Sequence, residues 1–198
     1  MRIAFSSEIK MRNILKNRLA LSTVVTTLII LVVSVLLAGV VTYFAINVTS
    51  TRVQEESLAL TKQHVWYYAS GTASQAAIMI INTGGRDIVI DKLSVRGQEV
   101  TWNGDTQDVF YNVTTRSISD DLQYQATIAD ASEVSLNGVN HIFKQATSDL
   151  TLKSGETMII YIKSPDSITI NDIGLTVAIT VFTSQAMYYK ETNVQAHV

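Results

Sequence analysis

"RLALSTVVTTLIILVVSVLLAGVVTYFAINV", residues Arg18 to Val48, decides how this chain is organised. No charged residue lies between Arg18 and Arg52, which leaves 33 uncharged positions. A bilayer is crossed by a helix of ~20 apolar residues, so the run is more than long enough. No proline interrupts it, and Gly39 is its single glycine. A helix over residues 21 to about 48 is ~42 Å long at ~1.5 Å per residue, against a hydrocarbon core of ~30 Å. The excess is taken up by tilt or projects outside. β-Branched residues are frequent here and would weaken a helix in water. In lipid the backbone must satisfy its own hydrogen bonds, and that requirement outweighs propensity. The next stretch, "TSTRVQEES" at 49 to 57, is polar. It is expected to prolong the helix into water, with Arg52 and Glu56 paired at i,i+4.

Working outward, the first 20 residues carry five basic groups (Arg2, Lys10, Arg12, Lys16 and Arg18) and one acid, Glu8. Such a flank keeps the N-terminus cytoplasmic and sends the downstream chain outside. A discarded secretory signal has an apolar region of only ~7–15 residues, so this run reads as an anchor that stays. Of the chain's 15 basic and 17 acidic residues, 10 and 16 lie beyond residue 20, a net charge of −6 there. That balance argues against nucleic acid as a partner, since phosphate binding needs clustered Lys and Arg. There is no cysteine. Disulfides and thiol chemistry are therefore excluded, and stability must come from the core.

Residues 58 to 198 read as strands. "LALTKQHVWYY" alternates, with Leu58, Leu60, Lys62, His64, Trp66 and Tyr68 on one parity and Val65 and Tyr67 on the other. "QAAIMIINTGGRDIVIDKLSVRG" reads as a hairpin about Gly84–Gly85. "TLKSGETMIIYIKSP" reads as strand, Ser-Gly turn, strand. "GLTVAITVFTSQAMYYKETNVQAHV" alternates over a long run, and Tyr188 and Tyr189 are expected to point to opposite faces. Seven or eight strands are expected, in an antiparallel sandwich of the immunoglobulin-like kind. With the helix, the class is α+β. "DVFYNVTT" and "NHIFKQATSDLTL" supply shorter strand candidates, and the rest of the polar stretch 103 to 140 is expected to form long loops. The divisions are 1–20, a basic leader; 21–57, an apolar helix with a polar extension; and 58–198, the β-domain.

The apolar run resembles the N-terminus of archaeal type IV pilin-like proteins, the superfamily of adhesion pilins and archaellins. "LSTVV" from Leu21 looks like the start of their mature helix, and "AAIMIINTGGRDIVIDKLSVRGQ" looks like the strand–"NTG"–strand segment of their β-domains. The resemblance implies that a prepilin peptidase cuts the Ala20–Leu21 bond on the cytoplasmic side, with Arg18 and Lys16 as the basic flank. The leader would be twenty residues counted from Met1 or ten from Met11. It implies further a subunit that waits in the membrane, then joins a homopolymer through its N-terminal helix with the help of an assembly machinery. Where bacterial pilins carry a Glu five residues into the mature helix, this chain has Val25. The salt bridge of that branch is therefore not available.

The leading expectation is a filament subunit serving surface adhesion, at the cell surface, with no cofactor. The alternatives are a monomeric, membrane-anchored β-sandwich binding protein or a minor pseudopilin. Asn47-Val-Thr49 and Asn112-Val-Thr114 are N-glycosylation sequons, with Asn112 expected in the loop-rich region. His64, His141 and His197 have no ligand spacing, so no metal site is expected. "NGDTQD" (Asn103–Asp108) and Asp120–Asp121 supply oxygens but read as turns. Trp66, Tyr67 and Tyr68 read as core. No nucleophile sits beside a base in any recognisable pattern, so no enzyme is expected.

Overall fold

A computed structural model describes residues 18–71, 73–102 and 108–197 of the chain. It divides into two compact units, Met1–Thr51 and Arg52–Val198.

The first unit is helix α1, which runs Arg18–Gln54 and so carries its last turn past the unit's end. The four hydroxyls at Thr26, Thr27, Ser34 and Thr42 donate to the carbonyls of Ser22, Val24, Ile30 and Ala38, at 2.7–2.9 Å. The helix therefore carries these polar side chains without asking a partner to satisfy them.

The second unit is mostly antiparallel β. Its strands are β1 (Leu58–Tyr68), β2 (Ala73–Asn82), β3 (Ile88–Val95), β4 (Gln98–Val100), β5 (Asp108–Thr114), β6 (Glu133–Leu136), β7 (Val139–Ile142), β8 (Lys144–Gln145), β9 (Leu150–Leu152), β10 (Thr157–Lys163), β11 (Thr176–Thr183) and β12 (Met187–His197). The class is α+β, as the sequence implies. Twelve strands rather than seven or eight are present among the described residues, because β4, β8 and β9 are only two or three residues long and the four-residue β6 and β7 arise in and at the end of the polar stretch. Ten strands follow the order β4-β3-β11-β12-β1-β2-β10-β5-β8, with β9 on β3. β1 and β12 run parallel, and every other pair is antiparallel.

The sheet curls around one core. Ile78, Ile80, Met158 and Ile160 from β2 and β10 meet Ile90, Leu93, Ile179 and Val181 from β3 and β11. The alternate residues of the same strands are also buried. Ala77, Met79, Ile159, Tyr161 and Phe110 pack under Ile118, Leu122, Ile128, Val134 and Leu136. This second layer explains why "AAIMII" and "MIIYI" are continuously apolar: those strands have no wet face. The expected loops of 103 to 140 are therefore corrected in part. The stretch includes all of β5, and β6, with β7 that begins at its end, forms a hairpin. Its turn puts Asn137 and Gly138 at φ 52° and 70°, the geometry Asn-Gly favours.

Two further expectations are overturned. The first is the parity of β1. Its pairing with β2 shifts between Thr61 and His64, and Lys62 sits at φ 53°. This bulge flips the alternation, so Leu58, Leu60, Val65 and Tyr67 share the inner face while Trp66 joins the outer layer. The second is the hairpin about Gly84–Gly85. β2 pairs with β1 and β10, and β3 with β4, β9 and β11, so residues 83–87 cross from one half of the sheet to the other. Lys153–Glu156 crosses beside them; the expected strand, Ser-Gly turn and strand are present there as β9, Ser154–Gly155 and β10, but the two strands pair with β3 and β2 rather than with each other.

Asn82 holds the two crossings together. Its buried Nδ2 donates to the carbonyls of Arg86 (2.8 Å) and Leu152 (3.1 Å), and its Oδ1 accepts from Gly84 N (3.0 Å). Its backbone bonds Glu156 O and Gly155 N, each at 3.0 Å. Thr83 N and Gly84 N both donate to Ser57 O, which fixes the entry to β1. Gly84 allows this approach. A Cβ there would lie 2.7 Å from Glu55 O and 2.8 Å from Ser57 N. Asn82→Ala should leave the buried Leu152 carbonyl and the half-buried Arg86 carbonyl without their donor, while Gly84 N keeps Ser57 O, and cost about 2–4 kcal/mol; Gly84→Ala should cost about 1–3 kcal/mol. Thr83→Val, at an exposed position, should cost under about 1 kcal/mol. Urea unfolding of the detergent-solubilised full chain, followed by Trp fluorescence, gives the order. Equal effects at all three positions would refute the assignment.

Candidate functional site

The largest feature needing a partner is α1 itself. Leu21–Ser50 is a 30-residue span, long and apolar enough to cross a membrane, and none of its most apolar window is buried. Eighteen large apolar side chains from Leu21 to Val48 are exposed on it. They occupy every side of the helix, so no face is reserved for water. Covering such a side chain is worth about 1.5–3 kcal/mol. Even at half that value the sum exceeds the ~5–15 kcal/mol that stabilises a whole domain. The helix therefore requires lipid or other apolar helices around it. Ala38 and Gly39 leave open space at mid-span, with nothing within 4 Å of a Cβ placed on Gly39.

The expected leader junction falls at the start of this helix: Arg18 and Ala20 are among its first residues, and the Ala20–Leu21 bond lies within it. Leu21 is exposed. Residues 1–17 of the expected leader, with Lys16, lie outside the described residues. At the other end the helix stops at Gln54, so Glu56 lies past its end, and the side chain of Arg52, the expected i,i+4 partner, lies outside the described residues. Past the helix end Glu56 turns to the β-domain. Its carboxylate accepts from the Thr183 hydroxyl, and its carbonyl accepts from Tyr188 OH at 3.3 Å. Burial, then the Glu56 charge, pushes the Tyr188 phenol above its ordinary range. Tyr188 packs against the core while its neighbour Tyr189 points out.

The sequons have different settings. Asn47 is exposed on α1, within the apolar span. Asn112 stands on β5 opposite Ile159, not in a loop. The alternation of "DVFYNVT" makes it a strand residue of β5, which pairs with β10 along its length and with β8 only at Phe110 and Tyr111. Its Nδ2, the atom a glycan would occupy, donates to Ile142 O at 2.8 Å. Its Oδ1 accepts from His141 Nδ1 at 3.1 Å.

The three histidines are apart in role. His64 donates to Asp121 at 2.9 Å and stacks on Trp66, and His197 lies 4.2 Å from the ring of Tyr124. Burial pushes the Asp121 carboxyl up, but the hydrogen bond and charge of His64 outweigh it and hold it below the ordinary range. Asp120 accepts from Asn137 N. Asn103–Gln107 lie outside the described residues, and Asp108 accepts from Gln145 at 2.8 Å. Among the described residues no three His, Asp or Glu groups converge as metal ligands. Tyr67 lies in the inner core, Trp66 in the outer layer, and Tyr68 beside Tyr124 and His197.

The end of the β-domain opposite Glu56 carries a pinned turn. Arg96 Nη1 donates to Asp172 Oδ1 at 2.7 Å and to Ser167 O at 3.1 Å. Thr169 donates to Asp172 Oδ2 from both its N–H and its hydroxyl, at 2.8 Å. The Thr169 hydroxyl, its N–H and the Arg96 charge together hold the Asp172 carboxyl below the ordinary range. A depressed carboxyl contributes stability that is present above its unfolded pKa and lost as pH falls through the folded value. Asp172→Asn should therefore lower Tm at about pH 7 and make little difference near pH 2. A Tm gap between wild type and variant that stays constant across that range would contradict the assignment.

No family model and no curated protein matches the chain. Among solved structures it is similar to the ligand binding region of Serine-glutamate repeat protein A of Enterococcus faecium. The likeness has 12% identity and a TM-score of 0.24, over 73% of this chain and 99% of that one. A TM-score that low carries no argument about fold or function.

Proposed function

We propose that the chain is the structural subunit of an extracellular filament of the archaeal type IV pilin-like kind, assembled through α1. The observation that carries this reading is the 30-residue span Leu21–Ser50, apolar on every side. Lipid covers it in the precursor, with the N-terminus cytoplasmic and the β-domain outside. After a cut at Ala20–Leu21, helices of neighbouring copies cover it instead. Neither setting offers water, so one surface serves both. The back-bonded hydroxyls support the reading, since they can move from lipid to protein with their hydrogen bonds intact. Leaving lipid is offset only when several neighbours contribute contacts, which favours a polymer over a pair. Contacts of this kind are heterologous and extend into a helical array when rotation does not close. The polar surface of the outer layer is left to meet other surfaces, as adhesion requires.

Mass spectrometry of the mature chain tests this. A filament subunit begins at Leu21. A chain with its leader intact and all of it in the membrane would instead be a monomeric anchored binding protein. Val35→Asp places a charge at mid-span, at a cost of ~2.5–3.5 kcal/mol for insertion alone. It should abolish filaments seen by electron microscopy, and normal filaments from this variant would sink the proposal.

A further inference from the structure

A cavity of about 330 Å³ opens in the outer layer between the segment after β5 and strand β6. Asp121, Gln123 and Gln125 line one wall, and β6 lines the other from Val134 to Leu136. The volume lies in the ~300–1,000 Å³ range of small-ligand sites. The first wall is held by its backbone. Asp120 N donates to Asn137 Oδ1 at 2.9 Å, and Asp120 O accepts from Lys62 Nζ. Gln123 O accepts from the hydroxyl of the buried Tyr161 at 3.0 Å. Gln125 N and O bond the two ends of the buried Gln75 amide, at 2.8 and 2.9 Å. The side chains, by contrast, stay available. Among the described residues the Gln123 amide and the Ser135 hydroxyl make no hydrogen bond. Asp121 engages only Oδ1, which accepts from His64 Nε2 at 2.9 Å and Leu122 N at 3.0 Å. Strand β6 adds backbone groups. It pairs with β7 alone, and the bond from Phe143 N to Ser132 O sets the alternation along the pair. Ser135, opposite Asn140, is then a position whose N–H and C=O face the open edge.

We infer that this cavity binds a neutral saccharide through its hydroxyl groups. Anions are disfavoured because Asp120 and Asp121 stand in the wall. A metal ion is disfavoured because no three carboxylate or imidazole groups converge among the described residues, and Lys62 already brings an ammonium to Asp120 O. An extended peptide added to β6 would find outward backbone groups only at Glu133 and Ser135, too few to hold a strand. A ligand with several hydroxyls meets the remaining groups: each hydroxyl donates to an oxygen such as Asp121 Oδ2 or accepts from an N–H such as that of Gln123 or Ser135. The buried Val134 and Leu136 close the cavity with apolar surface. A sugar ring has that division, with hydroxyls at its rim and C–H groups on its faces. The fixed backbone of 120–125 means that little ordering is needed when the ligand arrives. The inference goes beyond the filament reading and does not need it, since a monomeric anchored protein can use the same cavity.

Ligand-observed NMR titration of the full chain tests this, in dodecylphosphocholine so that no detergent sugar competes. The probes are the methyl glycosides of glucose, galactose and mannose, N-acetylglucosamine, glucuronate, putrescine and a Ser-Lys-Ser tripeptide. Saturable binding of at least one of the four neutral sugars is expected. Gln123→Ala should weaken it about 3–10-fold, the effect of losing a hydrogen bond, with Tm unchanged. Gln98→Ala, on exposed β4 in the other half of the sheet, should leave it as in wild type. Binding of putrescine, glucuronate or the tripeptide without any neutral sugar would overturn the inference, as would no binding at all. A sugar held equally well by wild type and Gln123→Ala would refute the cavity as its site. A mature chain that keeps its leader and still binds the sugar through Gln123 would count against the filament reading alone.

Discussion

The buried amide of Asn82 is the constraint on which the β-domain depends. Two strand-to-strand crossings meet there, and each would leave backbone groups without partners if it stood alone. One side chain supplies donors to two carbonyls and a second acceptor to Gly84 N, and its own backbone supplies two more hydrogen bonds. The adjoining Thr83 and Gly84 reach Ser57, so the same corner fixes where β1 begins. Sheet closure, the inner core and the entry of the chain are thus tied to one short segment. Asp would not serve in its place, because a carboxylate has no N–H to give to two carbonyls.

Closure of the sheet leaves β2, β5 and β10 with a second apolar face, and the polar segment after β5 covers it. That segment does so with few apolar residues. Ile118, Leu122 and Ile128 are single plugs in otherwise polar surroundings, and the β6–β7 hairpin adds Val134 and Leu136. Tyr161 shows how such a layer treats a polar group. Its hydroxyl donates to Gln123 O at 3.0 Å, and burial raises its pKa. The covering layer is therefore fastened by hydrogen bonds as well as by packing, which suits a segment with so little apolar surface to spend.

How much of this was legible depends on the kind of signal. The helix is plain from composition, because nothing but lipid or other helices tolerates 33 uncharged positions in a row. Strands such as "TVAITVFT" are plain from alternation. Partners are not, since "NTGG" has the turn residues of a hairpin whether the chain folds back or crosses over. The β1 bulge was hidden because parity assumes a regular strand, and Lys62 is an ordinary residue in an uncommon backbone state. "VSLNGV" did carry a readable turn signal, but its polar surroundings masked it. Of the candidate site, the apolar span was readable.

The junction at Glu56–Leu58 has a mechanical consequence. Any pull transmitted along the helix enters the β-domain at the start of β1. That strand lies inside the sheet, paired with β2 along its length and with β12 at its far end. A load along its axis must slide it past its neighbours, which strains many ladder bonds together instead of opening them one by one. The corner at Ser57 and the Glu56 contacts take up the load first. The chain thus enters its domain through a strand positioned to resist extraction, a useful property in any subunit held in place by one end.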